Sequence, residues 1–442
     1  MRRSSQIRLL VPVLLLLGAA IVLAAPAPRA RARKPVTANV APPPPAVELI
    51  ESVPIESALG NPRLRSAAEV WVELIRSATK NIDFEEFYLS NEPGEPMEPV
   101  LAAIIEAAKR GVRVRLLFDS KMSRTYPQPL DSLGLVPGIT LRLIDMGKIA
   151  GGVQHAKFFL IDGAIAYEGS QNFDWRALKH IHELGVLVRD ERVTARLQQV
   201  FDMDWAAAEL QASKADSSGI VGWPAQEPMG SSLPIRVVQS AGDTVEVWPS
   251  WSPRAYSPDS LLWDRDAIVR SIDEAQGEVV MQSLHFADAG RGLTDTAFDD
   301  ALRRAAARGV HVKMLISDWQ SAGESMRVLD SLAQVPNIEV RLSVVPEWSK
   351  GYVPFARVEH CKYMVVDTVV TWVGTANWEP SYFHTTRNVA LTLRNRPLAS
   401  EAREVFRVSW AAAEGQPVGH GAVYRTRAHG EKKADAAGGG GN

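Results

Sequence analysis

QHAKFFLID, residues 154–162, sets a histidine and a lysine two positions apart in an apolar run that closes on Asp162. The chain repeats the pattern as EHCKYMVVD, residues 359–367, with His360, Lys362 and Asp367. The repeat extends downstream: Gly169 and Asn172 of GSQN recur at the same offset as Gly374 and Asn377 of GTAN. Upstream, AAKRGVRVRLLFD (107–119) is echoed by AAARGVHVKMLISD (305–318). In both copies a helical stretch ends near a glycine and feeds an alternating β-branched run, an α-then-β unit. Two units of this size imply a duplicated domain rather than a solenoid. Duplicated domains pack about a pseudo-two-fold axis, which would bring one motif from each half to a common cleft.

Each half therefore reads as an α/β/α sandwich, with helices on a mixed sheet. In the first half, strands are expected near 81–89, 112–118, 139–144, 156–162 and 183–189. Helices are expected near 64–79, 98–110 and 191–211, where apolar residues recur at three- and four-residue spacing. The implied organisation is a signal or anchor at 1–27, a Pro/Ala-rich linker at 28–46 and a first half at 47–211. A linker at 212–235, a second half at 236–417 and a disordered tail at 418–442 follow.

The 442 residues are 46% hydrophobic, enough for a large core. Lys plus Arg (49) nearly balance Asp plus Glu (51), so no general basic field attracts a nucleic-acid backbone and any such site must be a local groove. Cys361 is the single cysteine, which excludes an internal disulfide; it is read as packing on the strand face opposite His360. At the N-terminus Arg2, Arg3 and Arg8 precede an apolar run from Leu9 to Ala25, and small residues follow. That order is a secretory signal or an uncleaved membrane anchor, so the protein is expected to be periplasmic, secreted or membrane-anchored.

On an extended strand His155 and Lys157 point the same way about 7 Å apart, a span that suits a phosphoryl group. Two such pairs around one spot would supply an imidazole to attack phosphorus and a protonated imidazole for the departing oxygen. The lysines would stabilise charge on the non-bridging oxygens. His155 is read as the nucleophile and His360 as the general acid. Ser170, Asn172, Thr375 and Asn377 are candidate phosphate ligands. Asp162 and Asp367 complete the catalytic motif in an orienting role, fixing a turn or a lysine. Glu183 is a candidate to hold one histidine by its second nitrogen, and the second half offers Asn388 in its place. A lysine beside each histidine disfavours a bound cation, so no metal or other cofactor is expected. His180 and His182 are read as surface or supporting groups.

HxKxxxxD followed by G-S/T-x-N, present twice, resembles the phospholipase D superfamily over about residues 46–417. FDWRAL (173–178), HELG (182–185), VPFARVEHCKYMV (353–365) and GTANWEPSYF (374–383) are similar to the animal endolysosomal phospholipase D-like proteins and their poxviral relatives. The resemblance implies a metal-independent phosphodiesterase with a phosphohistidine intermediate. It also implies a substrate that is single-stranded nucleic acid or, in the alternative, phospholipid, with membrane association through the N-terminus. The chain departs from that branch in lacking the cysteines for internal disulfides and in keeping Asp367. Trp175, Trp348, Tyr352, Phe355, Trp378, Tyr382 and Phe383 lie near the motifs in sequence; they stack bases, line a lipid pocket or pack the junction.

Overall fold

The computed structural model describes residues 44–213, 233–239, 242–413, 416–419, 424 and 430. The expected signal at 1–27, nearly all of the linker at 28–46, most of 212–235 and most of the tail lie outside the described residues. Two eight-stranded mixed sheets form the body. In the first, the order runs Arg65–Ser66, Val47–Ser52, Glu183–Val188, Ile165–Gly169, Phe158–Ile161, Asn81–Glu86, Arg113–Asp119, Ile139–Ile144. In the second it runs Ile235–Val238, Thr244–Ser252, Asn388–Arg394, Val370–Gly374, Lys362–Val366, Glu278–Ser283, His311–Ser317, Ile338–Ser343. From the second position inward the two orders correspond strand for strand. The fold is thus a duplicated α/β sandwich, as the sequence repeat predicts.

Some helices cover the outer faces and the two longest line the junction, for the reason their periodicity gives. Ala67–Ser77 buries Val70, Trp71, Leu74 and Ile75, which join Ile82, Phe84 and Phe159 of the sheet and Val100 and Ile104 of the helix Met97–Lys109 in one core. Trp71 is the centre of that cluster, edge-on to Tyr167 at 5.6 Å; removing its ring would cost about 3–5 kcal/mol. The long helices Glu191–Ala212 and Arg396–Ala412 occupy equivalent places, directly after the strands Glu183–Val188 and Asn388–Arg394. Each begins at a side-chain cap: Asp190 accepts from the backbone of Arg192 and Val193, and Asn395 from Leu398.

The two halves meet through apolar residues of both sheets. Leu49, Leu184 and Val186 share a cluster with Val247, Tyr363 and Leu391, and Phe158, Leu160 and Phe201 share another with Trp251 and Val389. At their centre the strands cross-link by a symmetric pair of backbone exchanges. His155 N donates to Arg387 O (2.9 Å) and Arg387 N to Val153 O (3.0 Å). The image pair is His360 N to His182 O and His182 N to Val358 O, both 3.0 Å.

Several boundaries differ from the sequence reading. The strand expected at 156–162 is Phe158–Ile161, so His155 and Lys157 lie on extended chain leading into it. The strand Ile165–Gly169, which turns back against it, and the strand Val47–Ser52 were not expected. Gly169 faces Gly185 across the sheet, and a Cβ at Gly169 would sit 2.6 Å from the Gly185 Cα. Strand contact, rather than ligand binding, therefore requires the glycine of GSQN.

Candidate active site

Both motif histidines and both lysines are buried at the junction: His155 is 4% exposed, Lys157 2%, His360 8% and Lys362 0%. The lysines curl back so that Lys157 Nζ donates to His155 O (2.6 Å) and Lys362 Nζ to His360 O (2.8 Å). Each ammonium is thereby fixed beside its own histidine with two donors left over.

The groups behind the imidazoles come from the opposite half. Glu183, at the start of its strand, places both carboxylate oxygens 2.8 Å from His360 Nδ1. Asn388, the equivalent residue of the second half, places Oδ1 3.0 Å from His155 Nδ1. The orientation of that amide is set by Nδ2, which donates to Tyr382 O at 2.8 Å. Oδ1 can then only accept, so His155 carries its proton on Nδ1 and leaves the Nε2 lone pair free. His360 has an anion at Nδ1, which stabilises an imidazolium. The two histidines have the same placement and different chemistry.

Burial, with the Lys157 and Lys362 charges, holds the His155 imidazole well below its ordinary range. Burial and the same two lysines do the same to His360. Burial and the Lys362 charge push the Lys157 ammonium well down, against Glu86 and Glu183. Lys362 falls to about 8 by burial, opposed mainly by Glu183. Burial raises the Glu183 carboxyl, and Lys362 counters it. Desolvated positive groups around one point, with too little negative charge, make a receptor for an anion.

Other expected site residues lie elsewhere or do other work. The Ser170 and Thr375 hydroxyls are not open to a phosphate. Ser170 Oγ accepts from Leu184 N and donates to Leu184 O, and Thr375 Oγ1 accepts from Val389 N and donates to Asn388 Oδ1. They fasten the strands that carry Glu183 and Asn388. Asn172 and Asn377 are buried with Oδ1 unbonded to protein; an amide oxygen only accepts, so this atom offers nothing to a phosphate oxygen. Asp162 and Asp367 belong to the motif but not to the reacting centre. Asp162 accepts from Thr79 N, Thr79 Oγ1, Lys80 N and Asn81 N; Asp367 accepts from Gln276, Gly277 and Glu278 N. Each locks the turn that starts the neighbouring strand, and neither is hydrogen-bonded to a histidine or a lysine of the motifs. The turn, not the lysine, is what they orient.

His180 and His182 are fully buried rather than at the surface. His182 bridges Glu359 (2.7 Å) and Glu51 (2.9 Å) across the junction; burial opposes its charge, but Glu359 and Glu51 lift it to about 10. His182, Glu359 and Cys361 have potential metal-ligand atoms within 4.8 Å of one another, yet both His182 nitrogens are already engaged by the carboxylates. Among the aromatics, Tyr382 lies edge-on to His155 at 4.9 Å. Trp378 and Phe383 pack on Phe298 in the core, and Trp348 packs on His180. Tyr352 donates to Gly430 O, and Phe355 is 39% exposed. Phe87 was missed: its ring meets His155 at 4.8 Å and lies 5.1 Å from Lys157 Nζ. Nothing in FEEFYL distinguishes that phenylalanine from a core residue.

The sequence model described as cardiolipin synthase, PLD-like domain, matches residues 71–205 and 268–410, one segment in each half. The chain belongs to the phospholipase D superfamily. Within the superfamily it is 31% identical to phospholipase D Z of Dictyostelium discoideum, covering 84% of this chain and 90% of that protein. It is also 31% identical to the human 5'-3' exonuclease PLD3 (82% and 78% covered) and to the vaccinia virion nicking-joining enzyme (82% and 87%). Phosphatidylserine synthase of Haemophilus influenzae shares the fold at a TM-score of 0.58 and 13% identity, over 82% of this chain and 85% of that one. The protein is accordingly a phosphodiesterase of the phospholipase D superfamily.

Proposed function

We propose that this phosphodiesterase is exported and cleaves single-stranded nucleic acid through a phosphohistidine on His155, without a metal ion. The observation that carries the chemistry is the pair His155–Asn388 and His360–Glu183 across the junction. The His155 Nε2 lone pair attacks phosphorus, forming the N–P bond as the P–O bond to the leaving group breaks. His360 gives that oxygen a proton and keeps the remaining one on Nδ1 against Glu183. His360, now neutral, takes a proton from water as the water oxygen displaces His155 from phosphorus. Lys157 and Lys362 hold the non-bridging oxygens through both displacements. The bound phosphodiester adds negative charge beside Lys157 and Lys362, so its arrival raises His360 into its acid form.

Support for nucleic acid comes from the partly exposed Phe87 and Tyr382 rings, each packed against His155, which suit stacking of a base, and from the names of the exonuclease and nicking-joining relatives. The Dictyostelium relative's name supports the second reading, hydrolysis of phospholipid. Export rests on the charged, apolar and small-residue order of residues 2–31, with membrane association in the alternative that the apolar run is retained; among the described residues no helix is long and apolar enough to cross a membrane. The test is a side-by-side assay on a labelled single-stranded oligonucleotide and on phosphatidylcholine vesicles, each with and without chelator. Faster cleavage of the oligonucleotide, unchanged by chelator, is expected. Cleavage of the lipid alone would replace the nucleic-acid reading, and loss of activity with chelator would remove the metal-free mechanism.

A further inference from the structure

The pseudo-symmetry of the halves breaks at the mouth of the site. In the first half Tyr88 donates to Asp174 (2.8 Å), and Arg176 neutralises that carboxylate through Nε at 3.0 Å to both oxygens. The strand contacts Leu89 to Phe173 and Phe286 to Trp378 are equivalent, so the images of Tyr88, Asp174 and Arg176 are His285, Glu379 and Ser381. Here the set is open. His285 retains 30% side-chain exposure and stands 3.7 Å from Glu379 through Nδ1, an ionic contact too long for a hydrogen bond. Ser381 Oγ takes the other Glu379 oxygen at 2.7 Å. The arginine of the first half has no counterpart, and a different one replaces it: Arg291, at the tip of the hairpin Ala289–Gly290/Leu293–Thr294. That hairpin lies against Glu379, since a methyl group at Gly290 would be 3.5 Å from its carboxylate. Arg291 is exposed, and its charge acts on Glu379 and on Tyr382, the residue whose ring touches His155. His285 in turn acts on His360. Polar donors thus face solvent beside the acid histidine, while the corresponding groups of the first half are internally paired.

We propose that His285 and Arg291 form a subsite for the phosphate next to the scissile one, on the part of the substrate that departs from His360. Glu379 is the positioning group: its carboxylate stands 3.7 Å from Nδ1 of His285 and takes the Ser381 hydroxyl. The subsite rests on the nucleic-acid reading, because a diester with a single phosphate cannot fill it. Exposed Arg291 then supplies the cation along which a chain continues.

The test compares thymidine dinucleotides that differ in one phosphate: TpT, and TpT carrying a terminal phosphate at its 5' or its 3' end. For the wild type, one of the two terminal phosphates is expected to raise kcat/KM by about tenfold or more, the worth of a charge-assisted contact. Arg291→Ala and His285→Asn are each expected to shrink that ratio towards one. For longer single strands, Arg291→Ala is expected to lower the slope of log activity against log salt by about 0.7. No gain from either terminal phosphate, or a gain that both variants retain, would overturn the subsite while leaving the nucleic-acid reading in place. Cleavage of a phosphatidyl lipid with none of any dinucleotide would remove both.

Discussion

Glu183 of the first half accepts from His360 of the second, with both carboxylate oxygens 2.8 Å from Nδ1. Its image, Asn388, serves His155 with a neutral amide oxygen. A duplicated fold thus presents two histidines in equivalent places and gives a charge to only one. The amide fixes a tautomer with a free lone pair, which suits attack; the carboxylate stabilises a cation, which suits proton donation.

Glu183→Gln is expected to reduce kcat by about 10²-fold or more with a poor leaving group such as a nucleoside oxygen. With p-nitrophenolate, which departs without a proton, the loss should be far smaller. Steady-state rates on a dinucleotide and on bis-p-nitrophenyl phosphate check this; equal losses on both would assign Glu183 to something other than the acid.

The pH profile of kcat/KM, whose alkaline side starts with the lowered His360, should gain a second, steeper limb near pH 8. Lys362 lies at about 8, and above that value it loses the proton whose charge stabilises the transition state. Lys362→Arg keeps its charge at all accessible pH, so whatever activity it retains should lack this limb. An unaltered second limb in that variant would place the ionisation on another group.

Asp162→Asn and Asp367→Asn should lower the melting temperature by a few degrees and change kcat less than about threefold, because each carboxylate binds backbone donors of a turn. Despite burial, those hydrogen bonds hold both carboxyls below their ordinary value. Their contribution is therefore present above the unfolded-state pKa and lost as pH falls through the folded one. A large drop in kcat at an unchanged melting temperature would restore them to the chemistry.

Glu359→Gln should destabilise the fold by about 3–5 kcal/mol, since it breaks a fully buried ionic contact to His182. The His182 pKa is raised in the fold to about 10. Its stabilisation is complete below the unfolded value near 6.5 and fades as pH climbs through 10. Melting curves from pH 6 to 10 should slope downward in the wild type and less so in His182→Gln.

Much of this arrangement was legible because it is written twice. The recurrence of His155, Lys157, Gly169 and Asn172 at one offset gave the duplication, the junction and the four central groups. The partner of each histidine was not legible. Glu183 lies 28 positions after His155 in the chain yet bonds the other histidine, since only the packing of the halves decides which imidazole it meets. Ser170 and Thr375 were misread as ligands because sequence does not show that a buried hydroxyl is already committed to the backbone of the next strand. Phe87 left no signal, since an aromatic against a catalytic ring obeys the same composition rules as one in a core. The strand Ile165–Gly169 was missed because its residues, Ile-Ala-Tyr-Glu-Gly, carry no clear alternation.

The most direct measurement is to trap the intermediate. Wild-type protein mixed with bis-p-nitrophenyl phosphate and quenched at alkaline pH, where phosphohistidine survives, can be digested and mapped by mass spectrometry. The phosphoryl group is expected on His155, to persist in His360→Ala and to be absent from His155→Ala. A phosphoryl group on His360 in the wild type would contradict the unequal roles that Glu183 and Asn388 impose.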